Sequence, residues 1–586
     1  MNKIFIILLC LTGVTAIFDL PLAVMLLASV AVYLMSAYLL KDAKIDKSTW
    51  IMLAAGVLIS NVLILVYNKF QNFIPYWDYA GYYLESLHGR EDMYTNLGGF
   101  LKNVYVSMLE SDYTKLPAFF VSPLLAKFDG SYGTYILLNY NLFVVPFFVA
   151  LAALVSKIDK RYMVLIFLFP PFLNPLLRGY IDAVGLLYVA VLLYVVYRDD
   201  FESINVKRNI VLALFNVVFI FTRRWFLFFI VALFAAKAIE GVIRRIYNKE
   251  YKLKNLILNL FITGIIMLGI MLIFFMPYMK RLFTNGFSDT YSAYNFGNLW
   301  WNIKYFIKYY GVIVFVLCLF GGVLGLVNSK LRSFTLFLIL QSIFMFILFT
   351  RIQTISYHHQ YLFATNMLLF VIIGLASLTR FSKPAGIGVL CILIIYTAYS
   401  YLPLPGFMES IGFTAKRFEP KVYASERAVA LKDRLNQLTE GTEDYVYILA
   451  SSELLNDDML KNSELPQNYN AINNFFGTAH VDKRDGFPNP LLVAKYIVVA
   501  DPVQVHLGVE NQRIIEYFVN TISEGNLTPN LTKIESIDMG GGVTAHIYRR
   551  DSGYTDEFLN ATKEYFAAVY PDYPNLNNID MIWSRN

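Results

Sequence analysis

The sequence predicts a polytopic α-helical membrane protein with a C-terminal soluble domain of α/β or α+β type. The 586 residues have a mean hydropathy of +0.51, and only 16% of them are charged. Apolar residues recur in blocks of roughly twenty, which is the span of a bilayer. After Pro403 these blocks give way to shorter strand-like and helix-like stretches. We therefore expect a membrane module over 1–402 and a soluble domain over 403–586.

The apolar blocks predict about thirteen transmembrane helices. The predicted spans are 3–18, 21–40, 49–67, 133–155, 162–177, 183–198, 209–222, 226–240, 255–277, 309–327, 333–350, 361–379 and 385–402. Several are short, so tilted or re-entrant segments are alternatives. The first block also fits the apolar core of a signal peptide, with "VTA" (14–16) as the cleavage site.

Basic residues predict the orientation, because cationic loops stay on the cytoplasmic side. Alternate loops are basic, and their residues are Lys41, Lys44, Lys47; Lys157, Lys160, Arg161; Arg198, Lys207, Arg208; Arg244, Arg245, Lys249, Lys252, Lys254; Lys330, Arg332; and Arg380, Lys383. We expect an integral plasma-membrane protein with a cytoplasmic N-terminus and an extracytoplasmic soluble domain. These loops explain the net charge of +6, so we expect no nucleic-acid partner.

Two long loops lie on the predicted outer face. The first, 68–132, contains three stretches that favour short amphipathic helices at the membrane interface. The second, 278–308, carries Trp300 and Trp301, which favour anchoring at the lipid headgroups.

In the soluble domain, apolar and alternating patterns predict strands at 445–450, 495–500 and 542–550, with helices at 511–525 and 555–570. The glycine-rich "DMGGGVTA" (538–545) is expected to form a hairpin turn instead of a phosphate loop. The charged "HVDKRDGFP" (480–488) is expected to be a solvated turn.

Ionisable side chains near a membrane are costly, so those on the outer side are candidates for function. The set consists of Asp78, Glu110, Asp112, Arg178, Asp182, Arg223, Arg224, Arg351, His358 and His359. Arginines bind phosphate through paired donors, and a carboxylate removes a proton from an incoming hydroxyl. The combination suits sugar transfer from a lipid-linked phosphate donor.

The layout also resembles the polyprenyl-phosphate-sugar-dependent glycosyltransferases of GT-C fold, the group of the protein mannosyltransferases and aminoarabinose transferases. The similarity covers the arrangement of about the first 400 residues. It rests on an acid in a long first outer loop, "RGYID" at an outer span end, a membrane "RRW" and an outer "YHHQ".

The resemblance implies that Asp78 is the catalytic acid/base. Many members have two adjacent acids in this loop, whereas Tyr79 follows Asp78 here, so a second acid has to come from Asp182, Asp112 or Glu110. Donor phosphate would be bound by Arg178, Arg223, Arg224, Arg351, His358 or His359, and Tyr76, Trp77 and Tyr79 would offer flat faces to a sugar. No cofactor is required, and a divalent metal is optional.

Each candidate also has a structural explanation. Asp78 suits the cap of the helix that follows it, and Arg178 suits a pair with Asp182 four residues later. Arg223 and Arg224 suit one snorkelling cation and one buried ligand, because adjacent residues on a helix point roughly 100° apart. Glu110 and Asp112 suit solvated loop acids, and His358 and His359 suit interfacial packing.

We thus expect a glycosyltransferase that uses a polyprenyl-phosphate sugar and an extracytoplasmic glycan, lipid or protein acceptor. The alternatives are a transporter or flippase of lipid-linked or anionic solutes, and a polysaccharide polymerase or ligase that uses lipid pyrophosphates. A transporter should show inverted repeats with paired broken helices, a symmetry that the sequence does not show.

Overall fold

A computed structural model describes residues 12–72, 74–284, 291–401, 425–527 and 530–579. The chain divides into two compact units. The first, the helical unit, comprises Met1–Asn68, Gly81–Asp289 and Asn295–Glu419. The second, the sheet unit, comprises Lys69–Ala80, Thr290–Tyr294 and Pro420–Asn586. The sheet unit therefore includes two segments that the sequence analysis assigns to outer loops.

The helices up to residue 401 begin and end as follows. They are α1 (Leu20–Leu39), α2 (Lys47–Phe70), α3 (Trp77–Thr95), α4 (Leu97–Glu110), α5 (Leu116–Leu125), α6 (Tyr132–Asn139), α7 (Val145–Asp159), α8 (Asn174–Leu177), α9 (Leu186–Arg198), α10 (Val206–Thr222), α11 (Phe226–Tyr247), α12 (Leu253–Phe274), α13 (Met276–Thr284), α14 (Leu299–Tyr310), α15 (Val312–Val327), α16 (Arg332–Thr350), α17 (Ala364–Phe381) and α18 (Lys383–Tyr401). Short 3₁₀ helices occupy Lys160–Ile166, Pro170–Phe172, Ile181–Gly185 and His358–Leu362, and a π-helical turn joins α6 to α7.

Within the described residues, nine helices are long and apolar enough to cross a membrane. Helices α14 and α15 meet at a bend of 103°, and if they form one broken span, the number of candidate spans is ten. The prediction of a polytopic α-helical membrane protein is confirmed at this level, whereas the number thirteen stays a prediction.

Local features explain why the described residues contain fewer candidate spans than the thirteen predicted ones. Part of the predicted span 3–18 lies outside the described residues. The predicted span 162–177 is not one helix, because prolines at 170, 171 and 175 divide it into short turns. Helix α10 covers the predicted span 209–222 but has only 17 residues, a length at the lower limit for crossing a bilayer.

Helices α9 and α17 form the core of the helical unit, since their side chains are buried along nearly the whole length of both. Helix α17 packs closely on α15 at Gly321, where an added Cβ would lie 1.9 Å from the carbonyl oxygen of Phe370. Small residues allow such close approach between membrane helices. In contrast, α2 and α12 leave most of their apolar side chains exposed or only half-buried, as expected of helices that face lipid.

Three helices, α3 to α5, occupy the predicted first outer loop. Helix α5 is buried on nearly every side, so its side chains pack against protein on all faces. The other two helices have mixed burial.

The sheet unit contains a five-stranded sheet with the order β2-β1-β3-β5-β4. Strands β1 (Val446–Leu449), β2 (Phe475–Phe476) and β3 (Tyr496–Asp501) are parallel, and β4 (Leu531–Gly540) and β5 (Val543–Arg550) form an antiparallel hairpin beside β3. The helices of this unit are α19 (Ser425–Thr439), α20 (Asp457–Lys461), α21 (Asp482–Asp485), α22 (Pro490–Val493), α23 (Arg513–Ser523) and α24 (Asp556–Val569). The C-terminal sheet domain is confirmed, and "DMGGGVTA" is the predicted hairpin turn.

Both faces of the sheet are covered, because alternate residues of β1 and β3 enter two separate cores. Leu449 and Val499 pack with α23 and α24 in one core. Ile448 and Val498 pack with α19 and α20 in the other. Ile74 and Tyr76 belong to this second core, so residues far upstream complete the core of the sheet unit.

Candidate functional site

A buried ion pair joins two of the candidate residues in the helical unit. The Nε atom of Arg223 lies 2.5 Å from Oδ1 of Asp182, and its Nη1 donates to the Tyr82 hydroxyl at 2.8 Å. Asp182 is 1% exposed and Arg223 is 7% exposed. Because a buried charge needs a partner, each of these two residues holds the other in place.

The pair forms where two helices are interrupted. Arg223 follows the last residue of α10 in an extended conformation, and Asp182 lies in the 3₁₀ turn before α9. The turn before Asp182 depends on Gly179, whose φ is +83° and where a Cβ would lie 1.9 Å from the Tyr132 hydroxyl. Glycine adopts this conformation without steric cost.

A second carboxylate, Asp112, is shared by two arginines. Nη1 of Arg224 lies 2.9 Å from its Oδ2, and Nη2 of Arg281 lies 2.5 Å from its Oδ1. The side chains of Arg224, Arg281 and Asp112 are 21%, 25% and 29% exposed. Unlike Arg223, these two arginine side chains remain partly exposed.

The arginine cluster is defined here as Asp112, Asp182, Arg223, Arg224 and Arg281. Three guanidiniums face two carboxylates in it, so these five side chains carry a net positive charge. In addition, the Tyr113 ring lies 5.1 Å from the Arg223 guanidinium carbon and 5.5 Å from that of Arg224. The cluster is chemically suited to bind an anion such as a phosphate.

The two candidate histidines are buried beside the arginine residues. The ring of Trp225 lies 5.4 Å from that of His359 and 6.2 Å from that of His358, which stacks on Tyr180 at 4.4 Å. Nδ1 of His359 accepts the Ser356 N–H at 3.1 Å. Burial, with His358, Arg223 and Arg224 nearby, holds the pKa of His359 well below its usual value. His359 is therefore neutral at pH 7, which suits a hydrogen-bonding role better than binding phosphate as a cation.

The remaining candidates of the helical unit are Glu110, Arg351 and Arg178. Glu110 ends α4 and Arg351 follows α16, and both are exposed. Arg178 is half-buried at the end of α8, and its carbonyl accepts the Tyr132 hydroxyl at 2.8 Å. Arg178 and Asp182 do not share a helix, so the predicted helical pair is replaced by the pair between Asp182 and Arg223.

Asp78 belongs to the sheet unit, as the second residue of α3. Its side chain is exposed, and its position inside the first turn is not that of an N-cap. The N–H of the preceding residue, Trp77, donates to Oδ2 of Asp458 at 2.9 Å. The aromatic neighbours Tyr76, Trp77 and Tyr79 differ in exposure, since Tyr76 is fully buried and the other two are half-buried. Tyr76 is thus a core residue and offers no face to a sugar.

Sequence reasoning missed Arg281, although a signal was present. Lys280 and Arg281 follow an apolar span at its predicted outer end, against the rule that places basic residues inside. A basic residue at an outer span end does not help to orient the protein in the membrane, which indicates that it has another role. Asp458 and the two histidines near Trp77, His480 and His506, had no local signal, because their contacts span most of the chain.

In the part of the chain that the structure describes, no group of three or more His, Cys, Asp or Glu side chains is placed to hold a metal ion. No protein-family model matches the chain, and a search of curated proteins also finds no match.

Proposed function

We propose that the protein is a glycosyltransferase of GT-C type with about thirteen transmembrane helices. It transfers a sugar from a polyprenyl-phosphate donor to an extracytoplasmic glycan, lipid or protein. In this proposal it lies in the plasma membrane with a cytoplasmic N-terminus, and the sheet unit is extracytoplasmic. The arginine cluster is the observation that carries the proposal.

The arginines take different roles in this reaction. Arg223 is committed to Asp182 and Tyr82 inside the protein and holds the local fold. Arg224 and Arg281 share one carboxylate and are partly exposed, so they bind the donor phosphate. Their positive charge stabilises the phosphate as negative charge develops on it during bond cleavage.

The transfer is a single inverting displacement. Asp78 removes the proton of an acceptor hydroxyl, and the oxygen forms a bond to the anomeric carbon. The bond between that carbon and the phosphate oxygen breaks, and polyprenyl phosphate leaves with the electron pair.

Purified protein incubated with short-chain polyprenyl-phosphate sugars tests the proposal. We expect transfer or hydrolysis of at least one donor, measured with and without a metal chelator. Reaction with only lipid pyrophosphates would favour the polymerase or ligase, and movement of intact donor across vesicles without chemistry would favour the flippase.

Asp78→Asn tests the assignment of the base. We expect the variant to bind donor as wild type does while kcat falls by about 10²–10⁴. Transfer at close to the wild-type rate would remove Asp78 from the mechanism. Asp92→Asn is the matched control, because Asp92 is another exposed aspartate on α3.

A further inference from the structure

The carboxyl ends of the parallel strands form one edge of the sheet, and this edge is called the crevice here. Open α/β sheets bind ligands at this edge. Ser451 follows β1, His480 follows β2 and His506 follows β3. The three meet there, since Oγ of Ser451 lies 2.8 Å from Nδ1 of His506 and 3.3 Å from Nδ1 of His480.

The side chain of Trp77 fills this crevice. Its ring centroid lies 4.4 Å from that of His506 and 6.1 Å from that of His480. Burial lowers the pKa of His506 to about 4, with His480 as a smaller cause. The ring against Trp77 is therefore neutral at pH 7 and packs as an uncharged aromatic.

Hydrogen bonds from α20 and from the residue after it hold the backbone that leads into Trp77. Asp458 Oδ2 accepts the Trp77 N–H at 2.9 Å, and Asn462 Nδ2 donates to the carbonyl of Pro75 at 2.9 Å. The side chains of Ile74 and Tyr76 are buried in the adjoining core. Residues 74–77 are thus bound by the sheet unit much as an extended peptide ligand would be.

The backbone of Trp77 shows that this binding imposes a conformation. Its φ is +46°, in the left-handed region that bulky residues rarely adopt. Such a conformation persists only where surrounding contacts determine it. Because Asp78 comes next in the chain, the dihedral angles of Trp77 set the direction in which its carboxylate points.

We infer that Asp458 is a positioning residue for Asp78, and that the crevice of the sheet unit is a binding site for residues 74–77 of the same chain. The part of this inference that concerns Asp78 rests on the proposed function. The soluble domain then acts by aiming the base, in addition to any contact with acceptor.

Asp458→Ala in the full-length protein tests the inference with two readouts. Hydrogen exchange of the peptide covering 74–80 should accelerate at least about tenfold, because a hydrogen bond to a charged acceptor is lost. For transfer, kcat should fall by about 10- to 100-fold while KM for the donor changes by less than about twofold. Asp458→Asn should restore both, since its amide oxygen also accepts the Trp77 N–H.

Asp572→Ala is the control, because Asp572 is an exposed acid elsewhere in the sheet unit. Wild-type exchange in Asp458→Ala would overturn the inference. Faster exchange with unchanged kcat would overturn the positioning role. If the wild-type protein transfers no sugar at all, the proposed function fails, while the exchange result still decides whether Asp458 holds the segment.

Discussion

Among single residues, Asp482 shows how burial can contradict a polar sequence pattern. It lies in the charged stretch predicted to be a solvated turn, yet it is 0% exposed, so the prediction is wrong for this residue. Its Oδ2 accepts the Ile514 N–H at 3.1 Å and the Tyr570 hydroxyl at 2.9 Å. Burial raises the pKa of Asp482 to about 7.

This pKa predicts a pH-dependent effect of Asp482→Asn. The unfolded carboxyl titrates near pH 4, so the native state binds more protons between about pH 4 and pH 7. The free energy of unfolding of the wild-type protein therefore falls as pH rises through this window, by roughly 4 kcal/mol at most. Asparagine does not titrate, so the variant does not share this loss. The quantity to measure is the Tm of the variant minus the Tm of the wild type. We expect this difference to be more positive at pH 8 than at pH 5. An equal difference at both pH values, or the same trend in Asp572→Asn, would contradict this.

The different roles of the arginines can be separated by binding. If Arg281 binds the donor phosphate, as proposed, Arg281→Gln should lower donor affinity by about 1.5–3 kcal/mol in free energy, because it removes one of the two partly exposed arginine side chains paired with Asp112. The measurement is a titration with a fluorescent polyprenyl phosphate. Lys280→Gln is the matched control, because Lys280 is exposed and adjacent in sequence. Equal losses in both variants would indicate general electrostatic attraction and not a site.

Arg223→Met should act on stability instead. It leaves Asp182 buried without its partner, which costs about 3–5 kcal/mol. We expect a large fall in Tm that Asp182→Leu in the same chain partly reverses. Comparison of Tm for the two single variants and the double variant gives the coupling between the residues. Additive losses would show that the ion pair is not the cause.

For the helices, the close approach of α15 and α17 makes a specific prediction. Gly321→Ala places a Cβ 1.9 Å from a backbone oxygen of Phe370, which cannot turn away as a side chain would. We expect a loss of about 1–3 kcal/mol from overpacking. Gly264→Ala on α12 is the control, since nothing lies within 4 Å of its added Cβ. Thermal unfolding of both variants in the same detergent measures the difference.

Burial explains which strands could be predicted from the sequence. Strands β1, β3 and β5 match predicted stretches because buried apolar runs are visible in a sequence. Strand β4 was missed, since half of the residues of "LTKIESIDMG" are polar and only Leu531 and Met539 are buried, and β2 has only two residues. The membrane helices were predicted in type, but the breaks that hold Asp182 and Arg223 depend on tertiary contacts.

The whole chain is organised differently from what sequence order suggests. Lys69–Ala80 belongs to the sheet unit together with Pro420–Asn586. Hydropathy places the first segment in a loop between membrane spans, and no local pattern shows that Ile74 and Tyr76 enter a soluble core. The pairing of Asp112 with Arg281 was hidden for the same reason, because 169 residues separate them.

This organisation predicts the behaviour of the isolated soluble domain. Residues 420–586 expressed alone would expose the apolar surface that Ile74 and Tyr76 cover. We expect a low Tm and binding of a hydrophobic dye, both corrected by fusing residues 69–80 through a flexible linker. A fusion in which Ile74 and Tyr76 are replaced by serine is the control. Equal stability with and without the segment would show that it contributes nothing to this core.

The bond between Trp77 and Asp458 also has a consequence for biosynthesis. Its two partners are 381 residues apart, so at about 5–20 residues per second the ribosome makes the second roughly 20 to 80 s after the first. During this interval the segment before α3 lacks the crevice that holds it. If Asp78 is the base, as proposed, its carboxylate would be oriented only after the sheet unit has been made and has folded, and a chain released early would carry Asp78 without that orientation.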